Sequence, residues 1–189
     1  MTIAIVNGSA RHGNTEAAIN GFVKGIDGKH KTEIIVADKL NISGCKGCGV
    51  CQCQNGCIAK DDTNATVDKL VNADMIVFAT PVYWWGMTAQ LKLVIDKCYC
   101  KGMLLKGKKV GLITVGAAPT GDMQYELISK QFKCIADYLN WEIMFDKTFS
   151  AYGKDDLKNS SNAMEKMINI GNSYKQKCTI QAQMARIVH

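Results

Sequence analysis

Five short apolar runs recur along the chain, at Ile3–Val6, Glu33–Val36, Met75–Thr80, Val110–Val115 and Glu142–Phe145. Most are continuous rather than alternating, as expected of parallel strands buried on both faces. Stretches of helical period separate them. Ala18, Phe22 and Ile26 share one face of the first, and Val67, Leu70 and Val71 one face of the second. A third helix is expected over Thr88–Lys97. Ile128, Phe132, Ile135 and Leu139 stripe the fourth, and a last helix is expected over Asp155–Tyr174. Asp62 or Thr63, and Asp155 or Asp156, suit N-caps. Five such units in one chain imply an α/β fold, an open parallel sheet with helices on both faces. Crossovers in such sheets are right-handed. The strand order is not legible from the pattern. Ligands in these folds bind outside the carboxyl ends of the strands. The loops Asn7–Thr15, Pro81–Gly86 and Gly116–Gly121 should therefore build the site.

At 189 residues the chain fits one domain. We read residues 1–175 as that domain, with a cysteine-rich insertion at 44–58, and 176–189 as a tail that packs on a partner subunit or frays. No stretch approaches the ~18 apolar residues of a membrane span, and Met1 leads into Ile3–Val6 without a basic leader. A cytoplasmic protein is expected, with no membrane partner. The formal net charge of +6 comes from dispersed lysines rather than a block. It reads as a solvated surface, not a nucleic-acid footprint, and its field suits phosphorylated cofactors or acidic redox partners.

The first strand runs into Asn7-Gly8-Ser9-Ala10-Arg11-His12-Gly13-Asn14-Thr15, and a helix follows. A glycine-rich turn at a helix N-terminus offers backbone N–H groups and a positive dipole end to an anion. Ser9, Asn14 and Thr15 add neutral donors and Arg11 adds charge. The run differs from the nucleoside-triphosphate loop G-x4-G-K-[ST] in carrying Asn14 where that loop has lysine. That favours a monophosphate over triphosphate hydrolysis. The dinucleotide pattern G-x-G-x-x-G is absent, and Ser9 is not in a G-x-S-x-G elbow. His12 reads as a solvated loop residue. Strand three ends in Pro81-Val82-Tyr83-Trp84-Trp85-Gly86, where a flat heteroaromatic ring could lie and backbone N–H groups near Gly86 could meet its polar edge. The alternative is that these rings fill core or an interface. Lys92 and Asp96 read as a solvated helix pair.

Cys45, Cys48, Cys51 and Cys57 are spaced C-x2-C-x2-C-x5-C among nine cysteines in all. An odd count argues against a full disulfide framework. Cysteines so spaced can converge on one iron–sulfur cluster. Zinc is the rival ligand, although its sites usually separate two C-x2-C pairs. An empty loop is the third reading. Gly44, Gly47, Gly49 and Gly56 would let the backbone wrap closely and aim N–H groups at sulfur, or serve as turn residues. Cys53 is a spare thiol or alternative ligand. Cys98, Cys100, Cys134 and Cys178 are scattered and should pack as small hydrophobes.

NGSARHGNT after strand one and TPVYWWGMTAQLKLVIDK after strand three resemble the flavodoxin-like NAD(P)H-dependent FMN reductase superfamily over about residues 1–150. Within it, the cysteine run between strand two and helix two, followed by Asp61-Asp62, is similar to the cluster motif of iron–sulfur flavoproteins. The resemblance implies a flavodoxin-like three-layer sandwich with a five-stranded parallel sheet, one FMN per subunit, and homodimers or homotetramers. It implies that Ser9, Arg11, Asn14 and Thr15 hold the FMN phosphate. Pro81, Val82, Tyr83, Trp84, Trp85 and Gly86 would flank the isoalloxazine, and Gly116 and Ala117 approach its pyrimidine side. Cys45, Cys48, Cys51 and Cys57 would hold a [4Fe–4S] cluster. The sequence VGAAPTGD departs from the double glycine common after strand four, and Cys53 is extra.

The expected function is an oxidoreductase passing electrons from NAD(P)H or a protein donor through FMN, with a [4Fe–4S] cluster, to a flavin, quinone, azo or nitro compound or dioxygen. The cofactors carry the chemistry, so no residue need be catalytic. The alternatives are an electron carrier docking a ferredoxin-like protein, an FMN reductase with an empty or zinc-bound cysteine loop, and a zinc-ordered nucleic-acid module.

Overall fold

A computed structural model describes residues 1–53 and 56–187, with the side chains of 53 and 175–187 outside that description. The strands are β1 (Thr2–Asn7), β2 (Lys31–Val36), β3 (Met75–Pro81), β4 (Lys109–Gly116) and β5 (Glu142–Ser150). The helices are α1 (Asn14–Ile26), α2 (Thr63–Val71), α3 (Ala89–Lys97), α4 (Met123–Tyr138), α5 (Asp156–Asn159) and α6 (Ser161–Ile187). The five strands form one sheet in the order β2-β1-β3-β4-β5, and every neighbouring pair is parallel. This is the flavodoxin-like order, whose direction reverses between β1 and β3. The expected α/β architecture is the one observed.

Alternate residues of the central strands feed two cores. Ala4, Val6, Ile76, Phe78, Val110 and Leu112 face the layer that includes Leu70, Leu91 and Phe132. Ile3, Ile5, Met75, Val77, Ile113 and Val115 face Phe22, Ile26 and Met167. Both faces of β1, β3 and β4 are covered, which is why they read as unbroken apolar runs. Gly25 and Gly171 sit where α1 and α6 cross so closely that a Cβ on either would strike the other helix's backbone.

The largest differences from expectation are in β5 and the last helix. β5 runs to Ser150, five residues beyond Phe145, because it is an edge strand with only Phe145 and Phe149 buried. The last helix breaks at Ser160, whose backbone is extended (φ −88°, ψ 101°). The Ser160 Oγ accepts from the Ala163 N–H at 3.3 Å and so starts α6 afresh. That helix then continues through Ile187.

Candidate functional site

At the crest of the sheet, the β1–α1 loop is fixed by its neighbour across the switch point. The Gly8 N–H donates to the Ala79 carbonyl at 2.8 Å. The Thr88 hydroxyl donates to the Gly8 carbonyl at 2.8 Å and accepts from the Leu91 N–H at 3.3 Å, capping α3. A Cβ on Gly8 would lie 2.8 Å from the Thr88 Oγ1 and 2.9 Å from the Leu91 Cβ, so only glycine fits. Ser9 is buried, donates to the Arg11 carbonyl at 3.0 Å and accepts from the Arg11 N–H at 3.2 Å, which curls the loop. Thr15 is buried in the first turn of α1, where backbone N–H groups lack helical acceptors.

Ser9, Arg11 and Thr15 line a cleft of about 250 Å³ with Pro81, Val82, Tyr83, Val115, Gly116 and Ala117. The three loops expected from the sequence meet there. Ser9, Arg11, Asn14, Thr15, Pro81, Val82, Tyr83, Gly116 and Ala117 all border it; Trp84, Trp85 and Gly86 do not. They form a tight turn beside it. Tyr83 and Gly86 exchange N–H···O bonds of 2.9 and 3.0 Å, so the Gly86 N–H is engaged within the turn. Trp84 and Trp85 both have left-handed backbones, φ 49° and 61°. Bulky residues in that region cost about 1–2 kcal/mol each, and such strain concentrates at functional sites. Trp84 is 91% exposed, and its ring meets that of Trp85 edge-on at 5.6 Å.

The fourth wall, Ala151–Lys154, was not foreseen. Its signal lay in the Phe145/Phe149 spacing that carries β5 forward and delivers this loop to the crest. Asn14 holds it: Nδ2 donates to the Gly153 carbonyl at 2.7 Å and Oδ1 accepts from the Leu157 N–H at 2.9 Å. The residue in the lysine position of a triphosphate loop thus serves as a clasp. Arg11 and Lys154 bring positive charge, while exposed His12 pairs with Glu16 at 2.9 Å. With the N–H groups at the start of α1, these charges give the cleft the chemistry of an anion site.

A second cavity, about 620 Å³, opens at the β2–α2 insertion and is lined by Cys45, Cys48, Cys51 and Cys57 together with Asp61, Lys97 and Tyr99. Gly47 and Gly49 have φ 64° and 73°, a region natural to glycine. Asn64 clamps the backbone of Cys57, accepting from its N–H and donating to its carbonyl, both at 2.8 Å. The Ala59 N–H points at the Cys57 Sγ from 3.5 Å, and the Lys97 ammonium donates to it at 3.7 Å. Asp61 accepts from Ser43 and Thr63; burial opposes its charge, yet these hydrogen bonds together hold its carboxyl well below the usual range. Asn64 and Lys97 escaped the sequence reading because neither lies in the cysteine run.

Among the described residues, no three His, Cys, Asp or Glu side chains gather tightly enough to hold a single ion. A tetrahedral zinc needs sulfurs roughly 3.8 Å apart, from a Zn–S distance of about 2.3 Å. A multi-iron cluster spaces its thiolates more widely. Four cysteines around one cavity, with N–H donors at one sulfur, are a donor set that suits a thiolate-bound metal group. Cys98 and Cys100 are buried as expected; burial, then Cys100 and Asp96, push the Cys98 thiol up to about 12. Cys134 is a correction, since it is exposed on the outer side of α4. The Cys53 and Cys178 thiols lie outside the described residues.

The chain belongs to the NADPH-dependent FMN reductase family, whose model matches residues 1–164. Membership brings FMN as the flavin and oxidoreduction as the chemistry. The chain is 32% identical over 129 residues to an iron-sulfur flavoprotein of Methanocaldococcus jannaschii, covering 66% of each chain. It is 28% identical over 145 residues to an iron-sulfur flavoprotein of Methanosarcina thermophila, covering 74% of this chain and 73% of the relative. The fold is similar to that of an NAD(P)H:quinone oxidoreductase from Methanothermobacter marburgensis, with a TM-score of 0.69 at 12% identity over 92% of this chain and 96% of that one. Among the described residues, no helix is long and apolar enough to cross a membrane.

Proposed function

We propose that the protein takes reducing equivalents from NAD(P)H onto FMN held in the crest cleft, and passes them on through a [4Fe–4S] cluster held by Cys45, Cys48, Cys51 and Cys57. The observation that carries this reading is the cleft at the β1/β3 switch point, where a clasped glycine loop meets the N-terminus of α1. The N–H groups of that turn, with Arg11, suit a phosphate dianion. Pro81, Val82 and Tyr83 suit one edge of the ring, with Trp84, Trp85 and Gly86 beyond it and Gly116 and Ala117 along the other. Bound flavin supplies the exchange between a two-electron donor and one- or two-electron acceptors. The chain's own part is to fix the phosphate, hold the ring and leave one face open. The clasped loop and the capped α3 make that frame rigid.

Acceptors are flat electrophiles such as flavins, quinones, azo or nitro compounds; in the carrier reading a ferredoxin-like protein is the donor. One observation keeps the carrier reading in play: Cys45 and Cys48 are exposed at the mouth of their cavity, within reach of a docked redox partner. Exposed Tyr99, Met103, Leu104 and Tyr138 support assembly into homodimers or homotetramers. Cytoplasmic residence accords with the use of free thiols.

Anaerobic oxidation of NADH and NADPH by the FMN-loaded protein, with quinone or nitro acceptors, tests the proposal. Steady turnover supports the reductase reading. No turnover, together with rapid reduction by a ferredoxin, supports the carrier instead.

A further inference from the structure

Among the described residues, Lys97 is the only buried lysine, with 5% of its side chain exposed. Bringing an ammonium out of water carries a penalty of several kcal/mol unless opposite charge meets it. Its carboxylate neighbour is a poor match. The Asp61 Oδ2 stands 4.0 Å away and already accepts from the Ser43 N–H and hydroxyl at 3.1 and 2.9 Å. The Thr63 N–H occupies the other Asp61 oxygen at 2.9 Å. The acceptor nearest Lys97 is the Cys57 Sγ at 3.7 Å. A neutral thiol is a weak acceptor. A thiolate supplies the charge that the ammonium lacks, and a thiolate-ligated cluster keeps it there.

Lys97 also stands at a particular place in the fold. It is the last residue of α3, where a cation suits the helix dipole. The same helix starts at Thr88, whose hydroxyl holds the Gly8 carbonyl of the phosphate loop. Nine residues of α-helix span about 14 Å. One rigid element therefore joins the flavin cleft to the inner wall of the cysteine cavity, and the buried charge marks its far end.

We infer that Lys97 is a positioning residue that sets the reduction potential of the cluster: its fixed charge beside Cys57 favours the more negative, reduced state. The inference rests on the cluster proposed above. The step it governs is the arrival of one electron from reduced flavin. No bond forms or breaks and no proton is taken; one negative charge is added behind the sulfurs, and the ammonium stabilises it. The charge thus eases transfer from flavin to cluster.

Anaerobically purified wild type, Lys97→Met and Lys97→Arg are to be compared by iron and acid-labile sulfide content and by a redox titration followed by electron paramagnetic resonance. We expect Lys97→Met to bind iron but to be at least tenfold harder to reduce at a given potential, a shift of 59 mV for one electron, with Lys97→Arg near wild type. An unshifted Lys97→Met with full iron overturns the inference and leaves the cluster standing. Wild type without iron overturns the cluster itself. Where Lys97→Met loses iron, Lys97→Arg decides: iron retained there supports a charge requirement, and iron lost there assigns the position to packing and overturns the inference.

Discussion

Asn14 and Gly153 are 139 residues apart in sequence and joined by a 2.7 Å hydrogen bond across the mouth of the cleft. With the Leu157 N–H bound to the other end of the same amide, Asn14 fastens the loop after β5 to the loop after β1. Replacing it with alanine leaves a carbonyl and an N–H without their partner. A loss of about 1–3 kcal/mol is expected, read as a lower unfolding midpoint. FMN affinity should fall about tenfold with it, measured by flavin fluorescence quenching. Asn14→Asp keeps only the bond from Leu157, sets a carboxylate against the Gly153 carbonyl and beside the phosphate, and should bind FMN no better than the alanine variant.

Gly8 tests the frame from beneath. Gly8→Ala drives a methyl into the Thr88 hydroxyl and Leu91. Overpacking of this kind costs about 1–3 kcal/mol. The variant should melt earlier and lose flavin on gel filtration. Thr88→Ser keeps the hydroxyl and should retain most of both properties.

The aromatic turn gives a prediction of opposite sign for stability. Trp85→Gly relieves a left-handed aromatic backbone at φ 61°, so the cofactor-free protein should be no less stable, or more stable by about 1 kcal/mol. If the ring lies beside this turn, the visible spectrum of bound flavin should shift and its reduction potential change. An unchanged flavin spectrum would assign the tryptophans to an interface.

How much of this was legible beforehand depended on burial. β1, β3 and β4 are covered on both faces, so their side chains could be read without knowing the register. β5 lies at the edge, and Asp146 and Lys147 face solvent midway along it, so the apolar run seemed to stop at Phe145. The loop it carries was missed in consequence. The glycine loop was readable because its N–H geometry follows from local sequence. The clasp by Asn14 was not, since its partners are more than a hundred residues away. Lys97 was only the last residue of the expected helix Thr88–Lys97, and its place against Cys57 comes from the fold. The Lys92–Asp96 pair is the solvated pair that its spacing suggested, at 2.6 Å.

Acid stability should report Asp61. Its carboxyl lies below the ordinary value because Ser43 and Thr63 donate to the ionised form and outweigh burial. A carboxyl depressed in the folded state adds stability above the unfolded value near 3.9, and that stability fades as pH falls below it. Wild type should therefore lose thermal stability as pH drops below about 4. Asp61→Asn should melt earlier at pH 7 and show a flatter acid limb. Parallel acid limbs in the two proteins would contradict this.

The central claim is that the crest of the sheet recognises a flavin through its phosphate. Titration calorimetry of flavin-free protein with FMN and with riboflavin tests it most directly. Two charge-assisted hydrogen bonds at about 1.5–3 kcal/mol each predict that FMN binds about a hundredfold tighter or more. Equal affinity for the two, or no uptake of FMN, would contradict the account.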